Sequence, residues 1–107
     1  IEQCKAEFLG AANTYDYYAG LTDTIENNMI HSDKDTFNYV ILEHFGVSLQ
    51  MVPWNYPIVI FANMTAQNLI VGTTLVLKPP AICSITSTFF GTIFAAALKT
   101  KSVVLFF

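Results

Sequence analysis

Apolar positions recur at helical spacing through residues 2–20: Ala6, Leu9, Ala12 and Ala19, with Phe8, Tyr15 and Tyr18 among them. Offsets of three and four put them on one face of an amphipathic helix. Gly20 is placed to interrupt that helix, and Asp23 to Asn28 reads as its exit. Met29 to Asp35 is polar and turn-like. The pattern then changes period. Thr36 to Leu42 alternates before turning apolar, with the β-branched and aromatic content of a strand. Val47 to Val52 is a second strand, stopped by Pro53. Tyr56 to Val71 returns to a helix, with Pro57 suited to its first turn and Gly72 to its C-terminal stop. Thr73 to Leu77 is nearly all apolar, as expected of a strand covered on both faces. Ser84 or Thr86 is positioned to cap a helix running to Leu98. Val103 to Phe107 is a third buried strand.

Strands alternating with helices argue an α/β fold with parallel strands. The expected architecture is a partial βαβαβ unit over 47–107, preceded by a helix region at 1–28 and a short strand segment at 29–46. At 107 residues the chain is one domain or less. Hydrophobic residues make up 53% and charged ones only 12%, about half the charged share of an average domain, roughly 25%. That is the composition of a core without its surface.

Charge is divided along the chain. All eight acids lie within residues 1–43, where two lysines leave a net −6; from His44 onward there are three lysines and no acid. No arginine occurs, which argues against nucleic acid as a partner, because phosphate tracking needs clustered Lys and Arg. A membrane span is not expected either. The apolar stretch 56–77 is interrupted by Pro57, Asn63, Gln67, Asn68 and Gly72, and 85–98 is shorter than the ~20 residues a span requires. Cys4 and Cys83 belong to no CxxC pair, and His31 and His44 have no ligand spacing to them, so no metal site is proposed. Reduced thiols fit an intracellular protein, with the cytoplasm expected first and the mitochondrion left open. Asn63-Met64-Thr65 is a formal glycosylation sequon inside the apolar helix.

Candidate chemistry concentrates between Pro53 and Pro79. Pro53-Trp54-Asn55-Tyr56-Pro57 closes one strand, and Leu75-Val76-Leu77-Lys78-Pro79 closes the next. In α/β sheets ligands bind outside the carboxyl ends of the strands. An amide (Asn55) and an ammonium (Lys78) are therefore expected on one rim. Taken alone, Asn55 also reads as a turn amide bonded to its own backbone, and Lys78 as a solvated lysine.

These two segments at this separation resemble the aldehyde dehydrogenase superfamily. Tyr17-Tyr18-Ala19-Gly20-Leu21, Phe37-Asn38-Tyr39, Glu43-His44-Phe45-Gly46-Val47 and Leu69-Ile70-Val71-Gly72-Thr73-Thr74 extend the likeness over 15–79. The resemblance implies a slice of a longer subunit, with part of a small oligomerisation sheet at 29–46 and the opening of a dinucleotide-binding domain after it. It implies that Asn55 stabilises an oxyanion, that Lys78 holds the ribose of NAD or NADP, and that Val52, Pro53 and Trp54 line the nicotinamide side. For these three, core packing is the competing reading. The family's nucleophilic cysteine and general-base glutamate have no counterpart here.

Several positions depart from the family pattern. Ala81 stands where NAD-using members carry a glutamate for the ribose diol, so NAD binding is expected to be weak or lost, with less repulsion of a 2′-phosphate. Thr73, Phe45 and Gln67 replace an expected asparagine and two prolines, and Leu98 to Ser102 lacks the usual Gly and Pro. Two functions follow. One is NAD(P)-dependent oxidation of an aldehyde to a carboxylic acid in a full-length parent. The other is a non-catalytic remnant that binds cofactor weakly or associates with another subunit. Unpaired sheet edges and exposed apolar faces lead to an expectation of self-association.

Overall fold

A computed structural model describes residues 1–98 and 103–105. The first helix, α1 (Glu2–Leu21), ends in a short 3₁₀ turn at Thr22–Thr24. Two strands follow, β1 (Asn28–His31) and β2 (Phe37–Val40), paired antiparallel with Asn28 opposite Val40 and His31 opposite Phe37. The polarity of 29–35 predicts a turn, but its first half is strand. Every residue of β1 and β2 is exposed; Asn28-Met29-Ile30-His31 carries no apolar–polar alternation, and its pairing with β2 makes it a strand. The Asn27 side-chain carbonyl closes the ribbon's base by accepting the Leu42 N–H at 3.0 Å.

The second sheet runs β3 (Val47–Met51), β4 (Thr74–Lys78), β5 (Val103–Leu105), all parallel and in that spatial order. Helices α2 (Pro57–Ile70) and α3 (Ser84–Leu98) make the two crossovers. Leu75 and Leu77, both 0% exposed, pack with Val52 and Phe61, and Ile60, Met64, Phe90 and Phe94 close over them from the helices. Each fully buried Leu or Phe of this kind contributes about 1.5–3 kcal/mol. Ala11 of α1 packs on Ile58 and Ala62 of α2, and Phe8 stacks on Phe90 with ring centroids 5.7 Å apart. The helices therefore cover one face of the sheet. On the other face the described residues leave Val47, Leu49 and Met51 exposed and Val76 half-buried.

Polar links join α1 to α2. The Tyr15 hydroxyl donates to Thr65 Oγ1, which itself donates to the Phe61 carbonyl at 2.8 Å. Burial pushes the Tyr15 phenol up to about 12, against the smaller opposing effect of the Thr65 hydrogen bond. Gln67, standing where the family pattern has a proline, donates to the Tyr18 hydroxyl at 2.9 Å. Thr65 is 0% exposed, so the sequon's hydroxyl belongs to the core. Ser84 does not cap α3: it is already helical, and the helix grows from a 3₁₀ turn at Ala81–Cys83 in which the Cys83 N–H donates to the Pro80 carbonyl at 3.0 Å. The exit of α3 at 99–102 and the last two residues of the expected third strand lie outside the described residues.

The two strands of the ribbon contact chiefly each other, and the molecule is elongated. Its extents are 63 × 27 × 25 Å and its radius of gyration is 17.3 Å, against roughly 13 Å for a compact chain of this size.

Candidate functional site

The two motif segments converge through the parallel ladder. Met51 and Lys78 are register partners at the carboxyl ends of β3 and β4. One residue further on, the Val52 N–H donates to the Lys78 carbonyl at 3.0 Å. This bond extends the ladder past the formal end of β3 and sets where the chain turns away at Pro53.

Beyond it, Trp54, Asn55 and Tyr56 are all exposed, Trp54 to 71%. Tyr56 adopts φ 51 and ψ 50, the left-handed region, as the N-terminal flank of α2, and its carbonyl accepts the Ile60 N–H at 3.1 Å. It is the one non-glycine residue with positive φ among the described residues. Left-handed backbone in a residue other than glycine costs roughly 1–2 kcal/mol, and strain of this kind clusters at functional turns. The sequence did not signal it, because a residue before proline is biased toward extended backbone.

The rim's second wall is the segment after β4. The Lys78 side chain is exposed, Pro79 is buried, and Ala81 is exposed on the 3₁₀ turn that starts α3. The thiol of Cys83 lies 3.9 Å from the Trp54 carbonyl, so the two walls touch there. Neither cysteine is in a disulfide. Val52 is 5% exposed and its side chain lies in the core cluster; only its backbone reaches the rim. Asn55, Trp54 and Lys78 occupy the rim itself, with Pro53 half-buried behind them.

The electrostatics of this rim favour an anion. Helices α2 and α3 both begin here, and neither has an acidic residue in its first turn. The partial positive charge of a helix N-terminus is therefore left uncompensated at each. Lys78 adds a full charge, and the nearest acid in sequence is Glu43, before β3. An anionic ligand with a flat apolar portion fits this set: ammonium and helix ends for the charge, Trp54 and Pro53 for the flat face. No cluster of potential metal ligands occurs among the described residues, and none of the described helices is long and apolar enough to cross a membrane.

Comparison with known proteins places this geometry. The model of the aldehyde dehydrogenase family matches residues 1–106. Human retinal dehydrogenase 2 is 35% identical over 97 residues, covering 91% of this chain and 19% of that protein. Among solved structures, succinic semialdehyde dehydrogenase from Streptococcus pyogenes, in complex with NADP+ as the cofactor, superposes with a TM-score of 0.89 at 27% identity, over 99% of this chain and 24% of that one. PnpE in complex with nicotinamide adenine dinucleotide gives a TM-score of 0.76 at 28% identity, over 90% of this chain and 20% of that one. The chain thus spans about a fifth of the length of the curated relatives it matches.

Proposed function

The chain belongs to the aldehyde dehydrogenase family, and on that premise we propose that its rim is the cofactor and oxyanion edge of an NAD(P)-dependent oxidation of aldehydes to carboxylic acids. The observation that carries the proposal is the Val52–Lys78 backbone bond. It fixes the Trp54-Asn55 turn and the Lys78 ammonium at the ends of adjacent parallel strands.

In this reading Lys78 donates to the ribose hydroxyls or a 2′-phosphate of the dinucleotide. Trp54 and Pro53 form the wall against which the nicotinamide lies, and the Val52 backbone holds that wall in register. The bound dinucleotide supplies the hydride acceptor. Asn55 donates its side-chain N–H to the carbonyl oxygen of the aldehyde as negative charge gathers there. One such donor contributes about 10²–10³ in rate where it has been removed from other enzymes.

Covalent oxidation also needs a nucleophile activated by a base. Cys83 has a backbone carbonyl for a neighbour, and no carboxylate follows Glu43 in the sequence. We therefore assign nucleophile and base to parts of the family fold outside these residues, and expect no turnover from residues 1–107 alone. Without a carboxylate at Ala81 the ribose diol lacks an acceptor, so binding of NAD is weak and a 2′-phosphate is tolerated. An intracellular, cytoplasmic setting belongs to the same proposal.

A thermal unfolding scan with and without millimolar NAD+ or NADP+ tests it, since a ligand selective for the native state raises its stability, by about 2.7 kcal/mol at a hundredfold excess over Kd. The expected result is a transition raised more by NADP+ than by NAD+ and unmoved in Lys78→Ala. A transition unresponsive to both dinucleotides in the folded chain rejects the cofactor edge. It would leave a non-catalytic association module as the remaining reading.

A further inference from the structure

The outer edge of β3 has the pattern of a strand that pairs with itself. In the ladder to β4, Gly46 accepts the Thr74 N–H at 2.8 Å and Val52 donates to the Lys78 carbonyl. Backbone groups alternate sides along a strand, so the even-numbered residues 46 to 52 face β4. The N–H and C=O groups of Val47, Leu49 and Met51 consequently point to the open edge. No other strand lies there among the described residues.

The side chains of the same three residues stand on the uncovered face, 66%, 67% and 72% exposed. The usual protections of an edge are missing. There is no proline or bulge in the run, which keeps unbroken register with β4, and from Phe45 to Leu77 the sequence contains no Asp, Glu, Lys or Arg.

We propose that a second copy of this chain pairs antiparallel along β3, with a two-fold axis at Leu49, joining two three-stranded sheets into one. The axis sets Leu49 opposite Leu49 of the partner copy and Val47 opposite Met51. Every free N–H and C=O of the three residues is then matched reciprocally. The apolar side chains meet one another on the open face, where such cross-strand pairs are the unit of sheet stabilisation. On the helix-covered face Ser48 falls opposite Gln50, and both side chains hydrogen-bond; within one copy the Gln50 amide already donates to Ser48 Oγ at 3.5 Å. Shifting the register by one residue would set odd-numbered residues against even-numbered ones. The free backbone groups of one copy would then face strand positions whose groups point inward, so the pattern specifies this axis. Dinucleotide binding at the opposite end of the ladder is not required for the pairing.

Sedimentation equilibrium of the 107-residue chain over a wide concentration range tests the proposal. A discrete monomer–dimer equilibrium is expected. Leu49→Lys, at a position already exposed to solvent, places like charges on the axis and raises the dissociation constant about tenfold or more. Thr92→Lys, exposed on α3, adds the same charge and leaves the constant unchanged. Amide hydrogen exchange of the wild-type chain supplies a readout without any variant: the Leu49 N–H becomes protected as concentration rises, while the Gln50 N–H, bonded within the monomer, changes little. A chain that stays monomeric with an unprotected Leu49 amide, a dimer indifferent to Leu49→Lys, or open-ended aggregation each overturns the proposal. The first of these outcomes would assign the edge to a different polypeptide.

Discussion

Tyr15 and Thr65 share a hydrogen bond across the α1–α2 interface, fifty positions apart in sequence. The phenol is held well above its ordinary range, at about 12, chiefly because it is buried. Its folded value exceeds its unfolded one, near 10, so the folded state keeps the proton longer. The resulting stabilisation is fully present below pH 10 and is lost as pH rises toward 12. A difference of this size corresponds to a loss on the order of 2 kcal/mol. Urea unfolding between pH 9 and 12 should show this decline, and Tyr15→Phe should flatten it; equal slopes in the two proteins would refute the assignment.

Two glycines should respond to alanine with opposite signs. Gly20 lies inside α1 with nothing within 4 Å of an added Cβ, so Gly20→Ala gains about 0.5–1 kcal/mol of helix stability. Gly72 has equal room but sits at φ 72, where it ends α2. Gly72→Ala should cost about 1–2 kcal/mol. Denaturation midpoints of both variants, measured beside the wild type, check the contrast.

Thr73 carries a buried hydroxyl with no hydrogen-bond partner, although its backbone N–H donates to the Asn68 carbonyl at 2.9 Å. Replacing an orphaned hydroxyl by a methyl of similar shape removes a desolvation penalty, so Thr73→Val should stabilise the fold by about 1 kcal/mol. A loss of stability would indicate a water-filled partner site beside it.

Tyr56 holds a left-handed backbone immediately before Pro57. Asparagine tolerates that region and β-branched residues do not. Tyr56→Asn should be close to neutral, and Tyr56→Val should be less stable than Tyr56→Asn by about 1–2 kcal/mol. Paired thermal scans separate the two variants.

The elements most legible in the sequence are those whose burial is periodic. The helix expected at 56–71 is α2 at Pro57–Ile70, and the strand expected at 73–77 is β4 at Thr74–Lys78, because Phe61, Leu75 and Leu77 meet in one core. β1 escaped because Asn28-Met29-Ile30-His31 sets two apolar residues side by side between polar ones and so shows no period-2 alternation, whereas β2, equally exposed, carries the aromatic and β-branched content of a strand. The expectation that the central strand is covered on both faces holds for Leu75 and Leu77 on the helix side. Val76, on the other side, is only half-buried by the described residues. At the rim, Asn55 and Lys78 were visible as residue types at strand ends, because proline marks each exit. The backbone bond that joins the two exits and the left-handed turn at Tyr56 were not visible, since both arise from register and closure of the sheet rather than from composition.

The projecting ribbon has a consequence for how the molecule opens. Its strands hydrogen-bond to each other, and it joins the sheet through residues 41–46, ending at Gly46 with φ 90. A lone two-stranded hairpin is marginal in water, while Leu75 and Leu77 are released only when the helices separate from the sheet. The chain is therefore two cooperative units of unequal strength on one backbone. The ribbon is therefore expected to open more readily than the core, so a protease that needs an extended strand would cut first between Asn28 and Val40 and leave the rim at Asn55 and Lys78 whole.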